Sequence, residues 1–202
     1  NWAQENDVTS WMPDALVSLF HYHKDMLSFH TNLVTPHSYS SNPWTWPLMI
    51  RPTSFYYETN PTCGAAKCSQ EVIPLGNPLI WWAGAIALGI IVYFAVARRH
   101  SAALPIAVAF AGGWVPWLFF SERTTFSFYS VVFIPYTVMA LALTLYLANQ
   151  NLQSDKPIAR RWPTLSFVIA CAILTAFFYP ILTGHSISYE LWHLRMWLPT
   201  WV

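Results

Sequence analysis

Four stretches without a single charged side chain, residues 77–97, 101–120, 126–147 and 162–182, dominate this sequence of 202 residues. At 1.5 Å of rise per residue, each is long enough as a helix to cross a hydrocarbon core about 30 Å thick. Backbone groups in lipid find no water to bond, so runs of this kind form helices whose hydrogen bonds are internal. The expected fold class is all-α: a polytopic membrane protein with four transmembrane helices. With 55% hydrophobic and 9% charged residues, the chain lacks the polar surface of a soluble domain. A formal net charge of +1 argues against a nucleic-acid partner.

Charge placement orients the spans. Five of the ten Lys and Arg residues, Arg98, Arg99, Lys156, Arg160 and Arg161, fall in the connections after the first and third spans. The positive-inside rule puts those two loops in the cytoplasm. The N-terminal segment, the loop around Glu122 and the C-terminus are then extracytoplasmic, in a multi-pass protein of the cell membrane. Eight of nine acidic residues and eleven of twelve tryptophans fall toward that outer side, so the chemistry is expected there. Asn1 stands where a complete gene product would have Met, and no basic start with a short apolar run precedes the first span. The sequence reads as the back half of a longer polytopic protein.

Three regions follow. Residues 1–76 form an outer amphipathic helix and a Pro/aromatic-rich loop, residues 77–184 the four-span region, and residues 185–202 an outer tail too polar for a fifth span. In the first region Ser10 is the expected N-cap with Pro13 just inside, opening a helical pattern of Met12, Leu16, Leu19, Phe20, Met26 and Leu27. His21, His23, Lys24, Asp25 and His30 make that helix too polar to span, so it lies at the interface or packs on the missing half. Seven prolines between Thr35 and Pro78 forbid a long helix there. Within the spans, Gly112, Gly113 and Pro116 read as a kink, and Pro135 as an interruption of the third.

The run from His37 to Pro52 holds a His, a Tyr, Ser and Trp residues and Arg51 between prolines that limit backbone freedom. That composition suits stacking on a sugar or peptide while donating hydrogen bonds, and it equally suits an interfacial aromatic belt. Cys63 and Cys68, with four residues between them on the oxidising side, favour a disulfide over a metal pair, since two further thiol or imidazole ligands are not close by. His21, His23, His30 and His37 cluster in sequence, yet no acidic partner completes a ligand set; no metal site and no cofactor are expected.

His37-x-Tyr39-x-Ser41-x-Pro43-Trp44-x-Trp46-Pro47, followed by Arg51-Pro52, resembles the outer-loop motif of protein O-mannosyltransferases, especially the actinobacterial enzymes that use polyprenyl-phosphate mannose. Gly113-Trp-Val-Pro-Trp117, Glu122-Arg123-Thr-Thr-Phe126 and the ending Met196-Trp197-Leu-Pro199-Thr-Trp201 resemble further segments of the family, in order, as does the Cys63/Cys68 loop. The resemblance covers only the family's C-terminal four-span region, part of a GT-C type fold. It implies a lipid-linked phosphate sugar as donor, Ser or Thr hydroxyls of secreted proteins as acceptors, and the N-terminal half of the same enzyme and the secretion machinery as partners. The family's acidic catalytic pair belongs to that other half, so no catalytic residue is expected here.

A departing lipid phosphate needs cations, and a guanidinium offers a planar donor fork that matches phosphate oxygens. Arg123, the sole cation between the second and third spans, and Arg51 are the expected donor-phosphate ligands. His37, Tyr39, Ser41, Trp44, Trp46 and Glu122 are expected to line the acceptor or mannose side. Competing readings are another lipid-phosphate-sugar transferase of the GT-C class and a non-enzymatic binding or transport subunit. The spans carry no charged residue, which disfavours coupled transport.

Overall fold

A computed structural model describes residues 2–7, 9–59, 61–151 and 157–202. Lys156 and the side chains of Arg160 and Arg161 lie outside the described residues. The chain forms two compact units, Asn1–His37 with Glu122–Thr124, and Ser38–Ser121 with Thr125–Val202.

In the first unit a short helix α1 (Trp2–Glu5) precedes α2 (Asp14–Thr31). Ser10 does not cap α2. Its hydroxyl accepts from the Met12 amide at 3.1 Å, two residues on, and the N-cap position falls to Pro13, with Asp14 opening the first turn. A carboxylate there suits the positive end of the helix, which does the work expected of the serine. The α1 segment docks through the Ala3 amide, which donates to the Ser18 hydroxyl at 3.0 Å, and through Trp2 stacked on His21 with ring centroids 3.4 Å apart. No α2 residue is buried, and Leu16, Leu19, Phe20, Met26 and Leu27 all stay exposed. The Thr124 amide donates to the Leu33 carbonyl at 3.0 Å, and its hydroxyl donates to that of Thr35 at 2.5 Å.

The second unit is mostly helical. A 3-10 helix (Pro43–Leu48) and strands β1 (Tyr56–Thr59) and β2 (Cys68–Val72) lead into α3 (Pro78–Val96) and α4 (Ala103–Leu118). A second 3-10 helix (Ser127–Val132) precedes α5 (Ile134–Asn151) and α6 (Pro157–Thr183). The tail forms β3 (Ile187–Ser188), α7 (Tyr189–His193) and a last 3-10 turn, Pro199–Trp201. Among the described residues, α3 and the Trp162–Thr183 part of α6 are long and apolar enough to cross a membrane, while α4 is a shorter apolar helix.

The third apolar stretch, 126–147, is not one helix. Pro135 stands at the second position of α5 rather than interrupting it, because a proline lacks the N–H that a first turn leaves unbonded anyway. The Gly112–Gly113–Pro116 segment runs inside the continuous α4. Gly113 serves packing: a Cβ there would come 3.1 Å from Phe133 Cβ.

Ala87, Leu88, Ile91, Ile106, Phe110, Phe133, Ala140 and Leu141 form the core between α3, α4 and α5. At Gly84 the backbone of α3 approaches α5 so closely that a Cβ would lie 2.6 Å from a Thr137 methyl, the small-residue contact that lets helices meet in lipid. Outward, Ile86 (69% exposed), Val108 (62%) and Ile173 (64%) face away from the protein, as lipid-facing positions do. Polar ties cross the bundle. The Asn77 carbonyl oxygen accepts from the Leu79 and Ile80 amides at 3.1 and 3.3 Å and caps α3; its NH2 donates to the Cys171 carbonyl (2.8 Å) and the Thr175 hydroxyl (2.9 Å) of α6. Asn77→Ala removes the cap and this tie together and is expected to cost about 1–2 kcal/mol, read as a lower melting temperature in detergent.

The all-α expectation is corrected by a three-stranded antiparallel sheet in the order β1-β2-β3. Tyr57 faces Glu71 across β1 and β2, and Cys68 faces Ser188 across β2 and β3. Two bonds anchor it to the end of α6: Gln70 donates to the Gly184 carbonyl at 2.7 Å, and the Ile73 amide to Ile181 at 3.1 Å. Gly184 turns the chain there with φ +73°, a left-handed conformation natural to glycine. The β1–β2 connection is closed by the Cys63–Cys68 disulfide, with Cα atoms 5.9 Å apart. Serine at both positions is expected to reduce stability by about 2 kcal/mol through the freed loop, checked by thermal melting beside mass-spectrometric thiol counting.

Candidate functional site

The motif-bearing loop, residues 38–52, is built around its 3-10 helix. Asn42 caps it by accepting from the Trp44 amide at 3.0 Å, Pro43 pre-sets the first turn, and Met49 in the left-handed region ends it. Four tryptophan indoles from outside the loop then bond its carbonyls. Trp81 donates to Trp46 (3.0 Å), Trp82 to Leu48 (3.0 Å), Trp114 to Pro43 (2.9 Å) and Trp201 to Met49 (2.9 Å). These donors come from the start of α3, the end of α4 and the tail, so those segments meet at the loop. These four tryptophans are the loop's clamps.

The loop has an inner and an outer face. Trp46 is 1% exposed; its indole donates to the Ser41 hydroxyl at 2.9 Å, and its ring packs edge-on to Trp117 at 5.5 Å. Ser41 is buried as well, and pairs with Thr125 in both directions: its amide donates to the Thr125 carbonyl at 2.8 Å and its carbonyl accepts from the Thr125 hydroxyl at 2.7 Å. Ser41 and Trp46, expected on the substrate side, are both enclosed by the loop's own packing. Trp44, 61% exposed and edge-on to Trp114 at 5.7 Å, and the half-buried Tyr39 face outward.

Arg51 fastens the loop's ends. Its Nε and Nη2 donate to the Ser38 carbonyl at 3.1 and 2.6 Å, so much of its donor fork is committed to backbone. His37, Glu122 and Arg123 belong to the first unit; His37 and Glu122 are exposed and Arg123 is half-buried.

Two features had no counterpart in the sequence reading. An open apolar cleft of about 550 Å³ is lined by Leu75, Gly76, Trp81, Phe128, Val131 and Ile134, where α5 begins. The other is Glu71, 3% exposed on β2, whose Oε2 accepts from the Trp192 indole at 2.6 Å. Burial raises its pKa above the usual carboxylate range, while hydrogen bonds from Trp192 and Ser54 pull against that. Nothing in Cys68-Ser-Gln-Glu-Val marks this residue, and its partner is 121 positions away. Arg195 is buried as well: it donates from Nε to the Phe177 carbonyl at 2.6 Å, also bonds the Leu191 carbonyl, and stands 4.6 Å from the Phe177 ring centroid. It pins the tail to α6.

An apolar helical bundle that presents a clamped aromatic loop, fastened by Arg51, and an open apolar cleft is a membrane protein suited to ligands part lipid and part polar. The chain belongs to the protein O-mannosyltransferase family: residues 15–201 match the family model described as the C-terminal four TMM region of protein-O-mannosyltransferase. It is 36% identical over 203 residues to a polyprenol-phosphate-mannose--protein mannosyltransferase of Mycolicibacterium smegmatis, covering 94% of this chain and 38% of that protein. A Mycobacterium tuberculosis protein of the same name is 31% identical over 204 residues, with the same coverage of 94% and 38%. This chain thus spans about 38% of the length of these curated relatives. The solved Saccharomyces cerevisiae protein O-mannosyltransferase Pmt1-Pmt2 complex bound to the sugar donor has a similar fold over 96% of this chain and 27% of that one, with TM-score 0.73 and 24% identity.

Proposed function

We propose that this chain acts as the C-terminal, four-span region of a GT-C type membrane glycosyltransferase that moves mannose from polyprenyl-phosphate mannose to Ser or Thr hydroxyls of secreted proteins. The match along residues 15–201 carries this reading. In it α3, α4, α5 and α6 all cross the bilayer, and the loop, sheet and tail gather on the extracytoplasmic side. The arginines after α3 support that sidedness, since a basic connection stays in the cytoplasm.

The polyprenyl chain would lie along the open cleft at the start of α5, whose lining from Leu75 to Ile134 offers almost only apolar surface. Arg123 would serve the departing phosphate, a group whose charge grows during transfer and which a guanidinium stabilises most at that moment. Arg51 would contribute its field while holding the loop. Tyr39, Trp44, His37 and Glu122 would face mannose or the acceptor peptide. The carboxylate that takes the acceptor proton would come from the N-terminal half of the enzyme. No cofactor takes part in this scheme, because the lipid-linked sugar is itself the activated donor.

The test is transfer of mannose from polyprenyl-phosphate mannose to a Ser/Thr peptide by membranes holding the complete enzyme. Transfer of a different sugar, or none, would overturn the reading.

A further inference from the structure

Between the sheet and the tail lies a second cleft, of about 290 Å³, lined by Tyr39, Tyr57, Glu71, Tyr189, Trp192 and Val202. Its floor is the buried pair Glu71 and Trp192, joined by the 2.6 Å indole bond. Tyr57 stands beside Trp192 with ring centroids 5.3 Å apart, and Tyr189 does so at 5.4 Å. Tyr57 is fixed from two sides. It faces Glu71 in the strand register, and its hydroxyl lies 3.2 Å from that of Ser69. Tyr39 arrives from the motif-bearing loop, so the cleft joins parts of the chain far apart in sequence.

The chemistry of that lining is particular. Aromatic faces cover the weakly polar C–H side of a pyranose, phenolic hydroxyls donate and accept, and a carboxylate accepts from neighbouring sugar hydroxyls. A buried carboxyl facing such an opening has lone pairs beyond those that Trp192 and Ser54 use, and a polar ligand would satisfy them. None of the residues lining the cleft is a cation, so the lining offers a phosphate no charged partner.

We propose that this cleft is a hexose-binding subsite that holds a mannosyl group already attached to a peptide. The choice of mannose rests on the function proposed above; the preference for a neutral hexose rests on the lining alone. Glu71 would accept from two sugar hydroxyls while Tyr189 or Tyr57 stacks on the ring. Binding there would keep a modified acceptor close while a neighbouring Ser or Thr is presented for the next transfer, raising its effective concentration.

The experiment is saturation-transfer NMR on the complete enzyme in nanodiscs, with methyl α-mannopyranoside and with one Ser/Thr peptide in mannosylated and unmodified forms. Saturable binding of the mannoside and the mannosylated peptide is expected, weakened about tenfold or more by Glu71→Gln, which keeps the side chain's shape. Tyr189→Ala, at the exposed rim, gives a second variant whose folding does not depend on a buried group; it is expected to weaken binding too. No saturable mannoside binding, binding unaffected by either variant, equal binding of the unmodified peptide, or displacement by polyprenyl-phosphate mannose would each overturn the subsite. Mannose transfer measured on the same preparation separates the two readings. Transfer without mannoside binding removes the subsite alone, whereas hexose binding without transfer removes the proposed function.

Discussion

Replacing Arg123 with Ala in the complete enzyme is expected to lower mannose transfer about 10²–10³-fold, the usual cost of removing one donor from a developing oxyanion, while membrane insertion stays intact. The expectation comes from position as well as charge. Residues 119–133 contain no other Lys or Arg, so no neighbour in that connection can substitute. The backbone just after Arg123 is held by Thr124 through its bonds to Leu33 and Thr35, which limits how far the guanidinium can wander. Such fixing matters because a donor placed in advance stabilises the transition state without reorganising. Arg123→Lys keeps the charge and loses the planar fork, so it should fall between Ala and the parent. Initial rates at saturating peptide, beside quantified enzyme in the membrane, are the measurement. Parent-like turnover of the Ala variant would remove Arg123 from the site.

The largest stability effect is expected at Trp46. Truncation to Ala empties a fully enclosed position between Trp117 and Tyr129 and takes away the bond to the Ser41 hydroxyl. Removing a large buried aromatic costs about 3–5 kcal/mol. Trp46→Phe keeps most of the ring and loses the hydrogen bond, and should cost about 1 kcal/mol plus the smaller void. Thermal unfolding in detergent orders the three proteins. The damage should also appear as loss of transfer, because the turn that carries Trp44 and closes on Arg51 is shaped around this indole. A Trp46→Ala protein that melts with the parent would show that the loop is held by its carbonyl clamps alone.

The helices were legible in the sequence because lipid demands unbroken apolar runs, and those runs coincide with α3, α4, α5 and α6 to within a few residues at most ends. Their exceptions have local causes. Pro135 reads the same whether it kinks a helix or opens one, and only the preceding 3-10 turn at Ser127–Val132 decides. The sheet was not legible. Its strands are two to five residues long, and β3 joins β2 across more than a hundred positions. The motif His37 to Pro52 is legible as a proline-bounded aromatic loop, yet its alternation did not reveal which side chains turn inward. Ser41 and Trp46 share a polar character with Tyr39 and Trp44, and the difference arises only when Trp117, Thr125 and Tyr129 fold beneath them. Glu71 was invisible for the same reason: its meaning lies in a tryptophan at the other end of the chain.

The four indole clamps make a rigid linkage between bilayer and loop. Trp81 and Trp114 hold carbonyls three residues apart in one short turn, yet they ride on different helices. When a thicker or thinner membrane changes the tilt of α3 relative to α4, both anchor points shift and the turn must twist with them. Lipid composition thereby becomes an input to the shape of the loop that carries Tyr39 and Trp44, and the exposed face of that loop would be tuned by the thickness of the membrane in which it sits.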